Sequence, residues 1–318
     1  MRSTFRNFGF AEVTMHSEMK RKASFPFAFL SFFRNFAGNM EYTLNCNGRL
    51  LSVHTPLVMG ILNATPDSFF AGSRTQTEQQ IARRTEDIIG QGGSIIDVGA
   101  CSTRPDCTPA TEAEEAERLR QALQVVRRVA PEAIVSVDTF RPGVARMAVE
   151  EFGADIINDV GAPAQTAGTP QQDDSQDRNR RDEMFRMVSR LRVPYIYMSR
   201  KATMRDILLD CAEAADLLRS MGQKDIVLDP GFGFGKTADD NYAVLSQLEH
   251  MSMAGLPVLV GLSRKSMVYR LLQCGPEQAL NGTTALHAVA LMKGASILRV
   301  HDVREAAECV KIIGKINH

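Results

Sequence analysis

The chain lacks tryptophan, a net charge, any CxxC pair and any long apolar run. The missing tryptophan excludes nothing. The missing charge excludes more: Lys plus Arg and Asp plus Glu each total 37, so nothing directs the chain to nucleic acid or to an anionic membrane surface. No apolar stretch reaches the roughly 18 residues that a membrane-spanning helix needs. The six cysteines (Cys46, Cys101, Cys107, Cys211, Cys274 and Cys309) show no metal-ligand spacing. In a chain this long they read as reduced thiols of a cytoplasmic protein rather than a disulfide framework.

What is present suits one large domain. The 318 residues, 44% of them apolar, accommodate two domains or a single α/β barrel of about 250 residues. Residues 1–39 carry six basic side chains against Glu12 and Glu18, and nine of the 16 phenylalanines. They read as a poorly ordered extension, or as sequence upstream of a true start at Met40, and stand apart from a domain at 40–318. Residues 163–182 hold no large apolar side chain and cannot offset their ordering entropy, so they are expected to form a mobile surface insertion.

Elsewhere short apolar runs alternate with amphipathic stretches. The runs are 57–63, 94–99, 134–138, 155–159, 194–198, 225–229, 257–263 and 296–301; stretches such as 77–91, 111–129, 141–152, 203–221, 239–250 and 279–293 have helical spacing. Eight strand–helix units predict a closed (β/α)8 TIM barrel, with an open doubly wound sheet as the other arrangement.

How the runs end is informative. Their C-terminal residues include Asn63, Asp97, Asp138, Asn158, Asp159, Asp229, Arg264, Lys265, Arg299 and His301. A single Asp after a strand is ordinarily a helix cap or a turn former, and Asp159 and Asp302 read that way. Seven of eight strands ending so exceeds what capping asks. In a parallel barrel all these ends meet on one face, giving a polar cup with two subsites. Asp97, Asp138, Asn158 and Asp229 suit the amino-pyrimidine edge of a flat heterocycle. Arg264, Lys265, Arg299 and His301 suit phosphate oxygens. The segment Asp229-Pro-Gly-Phe-Gly-Phe-Gly-Lys236-Thr237 is a poor phosphate loop, because Pro230 stands where the first glycine belongs. It reads better as a tight turn presenting Phe234 to the cup.

Seven blocks occur in an order that resembles the dihydropteroate synthase family. They are Met59–Phe69, Ile95–Gly99 with Ser102–Pro105, Ser136–Thr139, Ile156–Val160, Leu228–Gly231 with Gly233–Thr237, Ser263–Ser266 and Arg299–Asp302. The resemblance, over about residues 42–315, implies condensation of 6-hydroxymethyl-7,8-dihydropterin diphosphate with p-aminobenzoate, a Mg²⁺ cofactor and a homodimer. It places Asp138, Asn158 and Asp229 on the pterin edge, Lys265 over the ring and Met198 beside it. Arg299 and His301 fall on the diphosphate, Asn63 at the metal and Asp67 near the developing cation. Thr103, Arg104 and Pro105, with Phe234 and Ser266, fall on p-aminobenzoate. Departures from the family pattern lie in loops: Ala71; Ala100, Cys101 and Asp106; Ser199 with an abridged 199–203 loop; and the 163–182 insertion. Ala71, Ser199 and the abridged loop motivate an alternative, a pterin-binding paralogue with little or no synthase activity; a related barrel that moves a methyl group from a folate to a corrinoid is opposed by Arg299-Val-His301 and Ser263-Arg-Lys265, since a methyl-folate has no diphosphate to bind.

Overall fold

The computed structural model describes residues 42–64, 74–101, 110–161 and 174–316. It begins with an antiparallel hairpin, β1 (Tyr42–Cys46) and β2 (Arg49–Val53). The two turn residues, Asn47 and Gly48, have φ of 50° and 88°. That left-handed geometry matches the twist of a two-residue hairpin, and Asn-Gly is the pair that adopts it most readily.

Eight parallel strands follow: β3 (Leu57–Asn63), β4 (Ile95–Gly99), β5 (Ile134–Asp138), β6 (Ile156–Asp159), β7 (Tyr195–Met198), β8 (Ile226–Asp229), β9 (Leu259–Val260) and β10 (Ile297–Val300). Each falls inside one of the eight expected apolar runs. Their order is β8-β7-β6-β5-β4-β3-β10-β9, and a parallel bridge between Leu228 and Val258 joins the two ends. Around the barrel lie α1 (Arg74–Gly90), α2 (Glu112–Val129), α3 (Pro142–Phe152), α4 (Asp174–Leu191), α5 (Met204–Ser220), α6 (Ala238–Ser246), α7 (Ser266–Leu271), α8 (Leu280–Met292) and α9 (Val303–Ile316). The expected TIM barrel is therefore the fold. Among the described residues, no helix is long and apolar enough to cross a membrane.

The period-2 alternation of the strands divides the apolar residues into two cores. Val58, Leu62, Ile96, Val98, Val135, Val137, Leu228 and Val300 point outward and pack with the helices. Leu57, Met59, Ile95, Ile156, Ile196, Val227, Leu259 and Ile297 pack together inside the barrel with Leu44, Cys46 and Val53 of the hairpin. The hairpin thus closes the N-terminal mouth. Arg49 fastens it there, donating to the carbonyls of Glu132 and Ala133 and to Asp155 at 2.7 Å. Asp155 is 1% exposed and also takes Arg127 at 3.0 Å and the Val135 amide at 2.8 Å.

Helix starts follow local chemistry. Thr111 with Glu114 forms a capping box at α2, and Thr237 with Asp240 forms another at α6. Two sequence expectations need correction. The 163–182 segment is not a loop throughout, because α4 begins at Asp174. Met184, Phe185 and Val188 further along α4 are fully buried and anchor the helix, and its polar first turns extend from that anchor. The 239–250 stretch is not one helix either: α6 stops at Ser246 and a 3-10 segment covers Leu248–Ala254. The expectations for residues 1–39 lie outside the described residues.

Candidate active site

Two residues beyond Ile95, Ile156, Val227 and Ile297, on the same inward faces, stand Asp97, Asn158, Asp229 and Arg299. These four come from alternate strands β4, β6, β8 and β10, the pattern that builds one interior layer of such a barrel. One polar layer therefore rests directly on an apolar one. Asp138 and Met198, on β5 and β7, stand at the same C-terminal ends.

Arg299 organises the layer. Its Nε donates to Asp97 Oδ2 at 2.7 Å and its Nη2 to Asp138 Oδ2 at 2.6 Å, while Asn158 Nδ2 reaches the same Asp97 oxygen at 3.2 Å. Asp97 and Asn158 are fully buried. The two carboxylates raise the guanidinium further above its ordinary range, against the opposing effect of burial. Burial pushes Asp138 up to about 7; Arg299 opposes the rise, and Asp97 adds to it. The two subsites expected from the sequence are thus one network, since Arg299 of the cationic subsite is bonded to Asp97 and Asp138 of the acceptor subsite. An amino-acid sequence does not show which strand ends will touch.

On the far side Asp229 accepts the Gly231 amide at 2.7 Å, and burial raises its carboxyl. Burial also lowers the neighbouring Lys265 to about 8, with Asp229 opposing. The Lys265 Nζ donates to the Phe232 carbonyl and sits 4.7 Å from the centre of the Phe234 ring. Phe234 is carried by a turn in which Gly231, Gly233 and Gly235 all have positive φ, which agrees with the expected tight turn. Ser266 follows Lys265 as the first residue of α7.

Two of the four expected phosphate donors behave otherwise. Arg264 is held by Asp302 through two bonds, 2.9 and 2.6 Å, a planar carboxylate pair that leaves it little reach. Asp302 is accordingly an ion-pair partner and not merely a turn former. His301 is pushed down to about 4, first by burial and then by Arg299, so near neutral pH it is an uncharged imidazole. Its Nδ1 lies 3.1 Å from Ser263 Oγ, which fixes the ring, and its carbonyl accepts Arg84 Nη2 at 2.8 Å. Asp159 does behave as a turn former, accepting the Gly161 amide at 2.8 Å, with the Tyr195 hydroxyl donating at 2.7 Å.

Asn63 closes β3 beside this cup, in register with Gly99. Asp67, Thr103, Arg104 and Pro105, like Ala71 and Asp106, lie outside the described residues. The sequence does not single out Ser263 and Arg84 for these contacts. Ser263 could have been noticed as a strand-end hydroxyl, whereas the helical Arg84 carries no local signal.

The chain matches the model of the pterin binding enzyme family over residues 59–301. It is 36% identical to dihydropteroate synthase of Escherichia coli K12 over 290 residues, covering 85% of this chain and 95% of that protein. With the Bacillus subtilis dihydropteroate synthase the identity is 35%, over 81% of this chain and 87% of that protein. The Xanthomonas albilineans dihydropteroate synthase solved with 4-aminobenzoic acid superposes with a TM-score of 0.74 at 32% identity, over 87% of this chain and 98% of that one. The same enzyme solved with 7,8-dihydropteroate gives 0.71 at 32% identity, over 86% and 98%. Barrel, strand-end layer and sequence agree, and the chain belongs to the pterin-binding enzyme family, among the dihydropteroate synthases.

Proposed function

We infer that the chain is a transferase that joins 6-hydroxymethyl-7,8-dihydropterin diphosphate to p-aminobenzoate, releasing 7,8-dihydropteroate and pyrophosphate. One observation carries the reading. A layer of two buried carboxylates, a buried amide and a part-buried guanidinium lies at the barrel's C-terminal mouth, in a chain more than one-third identical to synthases over most of its length.

Asp138, Asn158 and Asp229 take the hydrogen-bonding edge of the pterin, with Lys265 over the ring and Met198 against it. Burial of Asn158 and Asp229 supports this, because desolvated acceptors favour a ligand that presents matching donors. Arg299 and His301 face the diphosphate. Arg299 carries five N–H donors. Two hold Asp97 and Asp138, so the others meet phosphate oxygens from a guanidinium already fixed in place. His301 enters as a neutral hydrogen-bond partner oriented by Ser263. The methylene C–O bond breaks with its electron pair leaving on pyrophosphate. The cation left behind is delocalised into the pterin, and the arylamine nitrogen then forms the C–N bond and gives up a proton. No enzyme nucleophile is required. Asp67 and the strand-end carboxylates stabilise the cation, and Thr103, Arg104, Pro105, Phe234 and Ser266 enclose the p-aminobenzoate.

Among the described residues no group of three or more His, Cys, Asp or Glu could hold a metal. Mg²⁺ needs no such group, since it keeps waters and binds through one or two protein oxygens together with substrate phosphates, and the amide oxygen of Asn63 at the end of β3 is a donor of that kind. Asn63 would supply such an oxygen, and the bound ion would neutralise charge on the departing diphosphate. A cytoplasmic location and a homodimer belong to the same proposal. The thiols of Cys46, Cys211 and Cys309 are buried singly, and exposed Leu271, Met292, Ile312 and Ile316 offer apolar surface for a second copy.

The binding-only alternative drew on Ser199. That residue is fully buried, and its amide donates to the Asp229 carbonyl at 2.9 Å, a backbone tie between β7 and β8 that does not depend on the side chain. The synthase reading is tested with Arg299→Ala. It should raise the KM for the pterin diphosphate and lower kcat; unchanged kinetics would remove Arg299 from the site.

A further inference from the structure

Lys236 ends the glycine-rich turn and superficially occupies the lysine position of a phosphate loop. Its surroundings assign it other work. The Nζ lies 3.0 Å from the Gly231 carbonyl, 3.2 Å from that of Phe234 and 3.4 Å from that of Ser199. An ammonium has three donors, so three carbonyls use its capacity fully. Two belong to the turn after β8 and one to the loop after β7.

The backbone is shaped for this grip. Gly231, Gly233 and Gly235 alternate along the turn with φ of 70°, 80° and 63°. A Cβ at Gly231 would lie 2.1 Å from the Ser199 carbonyl oxygen, and one at Gly235 would lie 2.8 Å from that of Arg200. The turn is therefore pressed against the loop after β7, with Lys236 pinning the two together. The Phe232 carbonyl, between the two residues that Lys236 holds, accepts Lys265 instead. Two ammonium groups thus grip one short turn, Lys236 through Gly231 and Phe234 and Lys265 through Phe232. The charged or titratable groups acting on Lys236 are Asp229 of β8, Arg200 after β7, Asp240 of α6 and Cys211 of α5.

We propose that Lys236 is a positioning residue for the p-aminobenzoate half of the site: it holds the turn that sets the Phe234 ring, while Lys265 keeps its own hold on the Phe232 carbonyl. It touches neither substrate. Losing it strands three carbonyls and frees the turn, whereas Asp97, Asn158, Asp138 and Arg299 are held by one another and keep their geometry.

The inference rests on the assignment of Phe234 to the p-aminobenzoate pocket, so Phe234→Ala is run beside it. Steady-state kinetics on the full chain would compare wild type, Lys236→Met and Phe234→Ala, varying each substrate in turn, with thermal unfolding to check folding. Lys236→Gln, which keeps the chain length and one donor group, replaces the Met variant if that fails to fold. The expected result for Lys236→Met is a KM for p-aminobenzoate raised at least about tenfold, what one of the three lost charge-assisted hydrogen bonds is worth, with the KM for the pterin diphosphate within about twofold. If Phe234→Ala raises the p-aminobenzoate KM but the Lys236 variant leaves it unchanged, or moves both KM values alike, Lys236 does not position this pocket. If Phe234→Ala itself has no effect, the pocket assignment is wrong and the inference falls with it.

Discussion

Replacing Arg299 by Met removes the group on which the polar layer turns, and its consequences can be worked from the contacts. The guanidinium is the cationic partner of Asp97, which is fully buried, and of Asp138 beside it, through bonds of 2.7 and 2.6 Å. Taking one partner from a buried ion pair costs about 3–5 kcal/mol, because the remaining charge has lost its compensation. Asp97→Asn alone is milder, about 1.5–3 kcal/mol, since Arg299 keeps Asp138 and loses one charged bond. The double variant strands only Asp138, so its cost should fall below the sum by about 2 kcal/mol, inside the usual range for residues in one network. Urea unfolding at pH 7 of the four proteins gives the coupling, provided the slope against denaturant stays constant. Additivity within about 0.5 kcal/mol would refute the reasoning, because it would mean that the pair is already solvated.

Titration offers a second test. Asp138 is raised from 3.8 to about 7, so the folded state binds a proton that the unfolded state has lost across that window. Its contribution to stability is complete below about 3.8 and is lost as pH rises through about 7, and urea midpoints of wild type should fall relative to Asp138→Asn between pH 5 and 8; parallel midpoints would contradict this. At the opposite mouth, Asp155→Ala takes the buried carboxylate from Arg49 and Arg127, which keep their carbonyl partners, and should destabilise the fold by about 1.5–3 kcal/mol. Below its lowered melting point the variant should keep wild-type kcat, because catalysis belongs to the other face; a kcat loss beyond the folded fraction would count against that division. Sulfonamides, which imitate the arylamine, should inhibit competitively with p-aminobenzoate, and inhibition independent of p-aminobenzoate would displace the pocket from Phe234.

The barrel was legible because each strand is buried on both faces and so reads as a compact apolar run, from Leu57–Asn63 through Ser296–His301. The polar ends were legible for the same reason, since a buried strand gives Asp97 or Arg299 no other use. The β1–β2 hairpin was overlooked although its signal is local: Asn47-Gly48 lies between two short strands that bury Leu44, Cys46 and Val53. The helix α4 was obscured by its polar first turns, since only Met184, Phe185 and Val188 beyond them mark a buried face. The contacts of Arg299 with Asp97 and Asp138 span 202 and 161 residues, and only barrel closure brings them together. Arg264 and His301 read as cations for a ligand because the sequence shows neither the pairing with Asp302 that occupies one nor the burial that neutralises the other. The part played by Lys236 depends on three carbonyl directions, which side-chain identity does not record.

The central claim is chemical, and pyrophosphate release tests it most directly. Purified protein would receive the pterin diphosphate, Mg²⁺ and p-aminobenzoate, with each omitted in turn, and both pyrophosphate and dihydropteroate would be measured. The account predicts equal amounts of the two products and release that requires both organic substrates. Tight pterin binding with no pyrophosphate released from the complete mixture would contradict it.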